Sequence, residues 1–82
     1  MNKITVYSTR TCPYCMMLTC WLRDQKLDYT EYKVDENPYA AQAMVGLSGQ
    51  MGVPFTTVEA ADGSVTKVLG FDVVKLKTAL GV

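Results

Sequence analysis

The 82 residues, 49% of them hydrophobic, give one expected domain, 1–82, whose core is just large enough to fold unaided. Eight basic and eight acidic side chains cancel, which leaves no electrostatic footprint for nucleic acid or an anionic membrane surface. No apolar run approaches the ~20 residues of a membrane span, and Met1-Asn2-Lys3 leads straight into alternating residues instead of a signal-peptide core, so a soluble, cytoplasmic chain is expected.

Lys3 to Ser8 alternates, with Ile4, Val6 and Ser8 on one side and Thr5 and Tyr7 on the other, and reads as a first strand. Pro13 suits the first turn of a helix that runs from Tyr14 to Gln25, with Cys15, Leu18, Trp21 and Leu22 along one apolar face and Arg23 and Asp24 outside it. A second strand covers Tyr29 to Val34. Asn37-Pro38 then supplies an N-cap and a first-turn proline. Ala40, Ala43, Met44 and Leu47 recur at helical spacing until Gly46 and Gly49 end that helix.

Val53-Pro54 breaks the pattern before a third strand, Phe55 to Glu59, and Asp62-Gly63 marks a hairpin turn into an antiparallel fourth, Val65 to Leu69. Asp72 caps a last helix in which Val73, Leu76 and Leu80 face inward and Gly81 is the stop. The order β-α-β-α-β-β-α predicts an α/β fold: a four-stranded mixed sheet flanked by three helices on both faces.

Cysteine usage narrows the chemistry. Three cysteines and no histidine cannot supply a disulfide-stapled framework, nor close a four-ligand zinc site from Cys12, Cys15 and Cys20 alone. Thiol exchange in a reducing compartment is left as the leading reading, with no metal site. At a helix start, unpaired N–H groups and the positive dipole end favour a thiolate, which is the species that attacks a disulfide. Cys12 stands there, with Arg10 as a cationic neighbour, Pro13 stiffening the turn and Tyr14 offering an aromatic wall. Helix geometry puts the Cys12 and Cys15 Cα atoms about 5 Å apart, within disulfide range, so Cys12 is expected to attack and Cys15 to resolve. Cys20 would sit about 8.6 Å from Cys15, too far to bridge, and is expected to be a small buried hydrophobe, with a regulatory thiol as the minority reading.

The bland alternatives for other features are weighed alongside. Met16, Met17, Met44 and Met51 read as core filler and rim contacts, not a soft-metal site. Asp28, Glu31, Asp35 and Glu36 read as a solvated face around the second strand.

Val6-Tyr7-Ser8, Cys12-Pro13-Tyr14-Cys15, Val53-Pro54 and Gly70-Phe71-Asp72, in this order and spacing, resemble the glutaredoxin family of the thioredoxin-fold superfamily across nearly the whole chain. The resemblance implies that Pro54 is a cis-proline beside Cys12. It also implies that the Val53 backbone pairs with a substrate cysteine, and that Phe71 and Asp72 backbone groups hold a glutathione carboxylate, as helix-start N–H groups can. Many glutathione-using members carry a lysine three residues before the first cysteine, where this chain has Thr9. They often have Thr-Val-Pro in place of Gly52-Val53-Pro54, and Gly-Gly followed by two acidic residues in place of Leu69-Gly70-Phe71-Asp72-Val73. The segment Ser48-Gly49-Gln50-Met51-Gly52-Val53-Pro54, with the Gly70-Phe71-Asp72 that follows, is more similar to small bacterial glutaredoxin-like proteins and NrdH-type redoxins.

The expected function is therefore a monomeric dithiol oxidoreductase that reduces protein disulfides or glutathione mixed disulfides, without a bound cofactor and with glutathione as a cosubstrate. One alternative makes thioredoxin reductase the donor and ribonucleotide reductase the substrate. Lower-ranked ones are an iron-sulfur or metal carrier and a non-catalytic binding module.

Overall fold

The computed structural model describes residues 3–50 and 52–81; Met51 and the leading Met1-Asn2 lie outside the described residues. Seven elements follow in the expected order: β1 (Lys3–Ser8), α1 (Pro13–Asp24), β2 (Thr30–Lys33), α2 (Pro38–Ser48), β3 (Phe55–Glu59), β4 (Val65–Leu69) and α3 (Val73–Leu80). The sheet order is β2-β1-β3-β4. β1 pairs in parallel with β2 and antiparallel with β3, and β3 pairs antiparallel with β4.

Period-two alternation divides the strands between two cores. On one face Ile4, Val6, Val58 and Val68 pack with Leu18 and Leu22 of α1 and Leu76 and Leu80 of α3. On the other, Tyr7 and Phe55 pack with Ala40 and Met44 of α2. Tyr7 sits between Tyr32, whose ring centroid is 5.8 Å away, and Phe55, at 6.0 Å. Tyr7 is therefore buried although it stands opposite Ile4 and Val6 on its strand. Both faces of the centre of the sheet are covered, as the alternation requires.

The helices are narrower inside than their periodicity suggests. Only Ala40 and Met44 of α2 are buried, while Ala43 and Leu47 are exposed, because the small second core offers room for a single i, i+4 stripe. Gly46 stays within the helix, and Gly49 alone ends it, at φ 74°, a left-handed conformation that glycine adopts without a Cβ penalty. In α1, Thr19 takes an inner position and Trp21 is only half-buried against the larger core. The Thr19 hydroxyl is satisfied by donating to the Met16 carbonyl at 3.1 Å. β2 begins at Thr30 instead of Tyr29, yet Val34 still donates to the Ser8 carbonyl at 2.8 Å, so the pairing outlasts the strand.

Strand direction fixes where loops meet. β3 runs against β1, so its first residue pairs with the end of β1, Phe55 opposite Tyr7. β4 runs against β3, so Leu69 pairs with Phe55 at that same end. The Gly70 N–H donates to the Pro54 carbonyl at 2.8 Å, tying the approach to α3 to the approach to β3. Three chain segments therefore converge at one end of the sheet: 9–12, 52–54 and 70–72. Among the described residues no helix is long and apolar enough to cross a membrane.

The larger core carries the stability. Leu18 and Leu22 are fully buried, and burying such a side chain contributes about 1.5–3 kcal/mol. Leu18→Ala is expected to lower unfolding free energy by about 3 kcal/mol, transfer and cavity costs together. Urea denaturation of the disulfide form, with an unchanged slope and a lower midpoint, is the measurement.

Candidate active site

The converging end of the sheet holds the redox pair. Cys12 is the N-cap of α1, in extended backbone geometry (φ −92°, ψ 108°), with Pro13 in the first helical turn. Its Sγ accepts the Cys15 N–H at 3.2 Å, and its carbonyl accepts from Met16 at 3.2 Å. A sulfur thus fills the capping place that serine or aspartate oxygens usually take, satisfying one orphan amide of the first turn. The same amide and the helix dipole stabilise negative charge on that sulfur.

Cys12 and Cys15 form a disulfide with Cα atoms 5.2 Å apart, matching the spacing expected for one helical turn. Their exposures differ: Cys12 keeps 9% of its surface accessible and Cys15 only 1%. In the first turns of α1, Tyr14 is 63% exposed and Met16 and Met17 are also open to solvent.

The other expected site residues are distributed as follows. The Val53–Pro54 peptide bond is cis and Pro54 is buried. Val53 is half-buried against Tyr7, Phe55, Ala40 and Met44, and its backbone N–H and C=O make no hydrogen bond among the described residues. Phe71 and Asp72 are half-buried at the start of α3, where Asp72 is the N-cap and its carboxylate accepts from the Lys75 N–H at 3.1 Å. The Phe71 and Asp72 amides make no hydrogen bond among the described residues.

Two expectations change. Arg10 directs its Nε to Asp35 and Glu36, each at 3.2 Å. Its charge is shared with two carboxylates that sequence reasoning treated as plain solvated surface. Glu31 is likewise engaged, accepting from the Ser8 hydroxyl at 2.8 Å and pairing with Lys33 at 3.2 Å. Cys20 is not a buried hydrophobe but an exposed free thiol, with Arg23 Nη2 donating to it at 3.4 Å. Five residues turn the helix about 140° beyond one full turn, so Cys20 faces away from the core side held by Cys15, and Thr19 fills the inner position instead. Met44 is core and Met16 and Met17 are rim, as expected. Among the described residues no cluster of three or more metal-ligating side chains occurs.

One support had no sequence signal. In the loop ahead of Pro54, Gln50 brackets Gly52 by accepting its N–H and donating to its carbonyl at 3.2 Å. Ser48 Oγ reaches the Met44 carbonyl at 2.7 Å and the Gln50 carbonyl at 2.8 Å, and accepts the Gln50 N–H at 3.3 Å. These side-chain bonds to nearby backbone shape the approach to Val53 and leave no periodic trace in the sequence.

Comparison with known proteins gives consistent results. The family model described as Glutaredoxin matches residues 4–59. An uncharacterised glutaredoxin-like 8.6 kDa protein of the rubredoxin operon in Clostridium pasteurianum is 32% identical over 69 residues, covering 84% of this chain and 85% of that protein. The crystal structure of a mutant of the thioredoxin-like protein BC3987 superposes with a TM-score of 0.81 at 28% identity, covering 100% of this chain and 99% of that one. NrdH-redoxin from Escherichia coli, a glutaredoxin-like protein with a thioredoxin-like activity profile, gives a TM-score of 0.67 at 27% identity, covering 85% and 84% of the two chains.

The Arg10–Asp35 contact makes a pH prediction. Desolvation pushes the Asp35 carboxyl up, but the hydrogen bonds from the Arg10 side chain and backbone N–H, with the guanidinium charge, outweigh it and hold the group below its ordinary 3.8. A depressed folded-state value means the contribution to stability is present above the unfolded value and is lost as pH falls through the folded one. Arg10→Ala is expected to move the Asp35 titration, followed by carbon-detected NMR of Cγ, up toward 3.8. It should also shrink the acid-side loss of stability.

Proposed function

Because the chain belongs to the glutaredoxin family, with its thioredoxin-type fold, we propose that it is a dithiol oxidoreductase in which Cys12 attacks and Cys15 resolves. The observation that carries the assignment is the difference between the two sulfurs. Cys12 is the more accessible and is bonded by an amide at the helix start, whereas Cys15 lies inside, one turn further on.

In the reducing direction the Cys12 thiolate attacks one sulfur of a substrate disulfide, forming a mixed disulfide and releasing the other sulfur as a thiolate, which takes a proton. Cys15 then attacks Cys12 Sγ, expelling the reduced substrate and leaving the Cys12–Cys15 disulfide. Two external thiols, becoming one disulfide, return two electrons and two protons to the pair. The cycle uses no bound cofactor.

The substrates in this reading are protein disulfides and glutathione mixed disulfides, with glutathione as cosubstrate. Three features support a docking role for the segments around the pair. The Val53 backbone, without a hydrogen bond among the described residues, suits antiparallel pairing with a substrate cysteine, the Phe71 and Asp72 amides, likewise without one among the described residues, suit a carboxylate, and exposed Tyr14 offers an apolar wall beside Cys12.

A second reading keeps the chemistry and changes the donor to thioredoxin reductase, with ribonucleotide reductase as substrate. It is favoured by the pairing of Arg10 with Asp35 and Glu36, and by Thr9 and Gly52, which stand where a lysine charge and a threonine hydroxyl would offer handles for glutathione. The likeness to NrdH-redoxin from Escherichia coli also supports it.

Turnover in an NADPH-coupled assay separates the donors. Activity with glutathione and glutathione reductase is expected under the first reading, and activity only with thioredoxin reductase establishes the second. Cys12→Ser is expected to reduce disulfide turnover in either assay at least a thousandfold. Cys15→Ser should instead trap a Cys12–substrate mixed disulfide, seen in the intact mass as one added glutathionyl group when glutathione disulfide is supplied. A Cys12→Ser protein with full activity removes the catalytic assignment.

A further inference from the structure

Among the described residues one buried side-chain polar atom has no hydrogen-bond partner: Thr56 Oγ1, on a residue that is completely buried. A hydroxyl left unpaired in the interior is a cost that valine, of nearly the same shape, would not carry. Its place in the fold gives that cost a purpose. Thr56 pairs with Val6 on one side and Val68 on the other, and with Val58 it belongs to the sheet face covered by α1 and α3. Since β3 starts at Phe55, Thr56 is its first residue on that face. The start of β3 lies at the end of the sheet where β1 stops and α1 begins. On α1 the first buried residue is Cys15. The first inward positions of β3 and of α1 therefore lie at one end of the same core.

We propose that Thr56 is a positioning residue for Cys15, its hydroxyl becoming the hydrogen-bond partner of the Cys15 sulfur once the disulfide opens. This rests on the reading that the Cys12–Cys15 pair cycles. When two external thiols reduce the pair, they become a disulfide, the S–S bond breaks, and two electrons and two protons yield two thiols. Cys15 then has an S–H to donate to Thr56 Oγ1, and as a thiolate during resolution it accepts the Thr56 O–H. In the disulfide that sulfur has no hydrogen to donate and is not in hydrogen-bonding position for Thr56 Oγ1, so the unpaired hydroxyl is a cost of the oxidised form. Thr56 in this way biases the couple toward the dithiol and holds charge on Cys15 during its attack.

The test is equilibration of each variant with a glutathione redox buffer, with the oxidised fraction read by thiol alkylation and mass. Thr56→Val is expected to shift the equilibrium constant about three- to tenfold toward the disulfide, the size of one hydrogen bond, a tenfold change corresponding to about 30 mV. Thr56→Ser, which keeps the hydroxyl, should stay near the parent value. Thermal melts supply an independent check: Thr56→Val should leave the oxidised protein at least as stable as the parent and lower only the reduced form. An unchanged constant, a shift toward the dithiol, a serine variant that follows valine, or equal melting changes in both forms each overturns the proposal. Because the constant is measured on the couple itself, these outcomes are distinct from a failure of substrate turnover, which would count against the oxidoreductase assignment instead.

Discussion

The antiparallel pairing of β1 with β3 is the constraint on which the site depends. Tyr7 opposite Phe55 sets a register in which the strand leading to the cysteines ends where the strand following Pro54 begins. A one-residue slip of β3 against β1 would carry Thr56 and Val58 to the face opposite Val6 and break up both cores. The same register brings Leu69 level with Phe55, so the start of α3 arrives at that end as well. Redox pair, Val53-Pro54 and Phe71-Asp72, separated by up to sixty positions in the chain, become neighbours of one edge through backbone pairing alone.

Within that frame Cys12 combines two roles that small proteins usually assign to different residues. As N-cap it completes the hydrogen bonding of the first helical turn, and as a sulfur it occupies the most anion-favouring point of the helix. The local stability of the helix start and the charge-favouring setting of the sulfur therefore draw on a single contact, the Cys15 amide to Cys12 Sγ. The partner cysteine is fixed inside by the packing of the helix behind it, where Leu18 and Leu22 anchor α1 to Val6, Val58 and Val68.

Much of this is legible in the residue order, for physical reasons. β1 alternates, and β3 and β4 are short β-rich runs bounded by Pro54, Asp62-Gly63 and Gly70, so their limits are visible, and Asn37-Pro38, Asp72 and Gly81 mark helix ends by their capping chemistry. The Cys12–Cys15 spacing alone fixes a one-turn geometry. What escaped is what periodicity does not encode. The usual tendency of cysteine to be buried suggested an inner Cys20, although the helical angle that separates it from Cys15 also turns it outward. Gly46 and Gly49 are alike in sequence, and only the left-handed φ of the second decides which one ends α2. The partners of Arg10 and the missing partner of Thr56 depend on which segments meet in three dimensions, and the Gln50 and Ser48 bonds around Gly52 depend on local loop geometry that carries no period.

Proline at position 54 has no N–H, and its carbonyl is already bonded to the Gly70 amide. Among the described residues, the open backbone leading into β3 is therefore that of Val53. An extended chain laid against this end would find one residue of ladder and then a proline with no N–H to offer, so main-chain contacts would read a single position and leave the rest of the visitor's sequence unread.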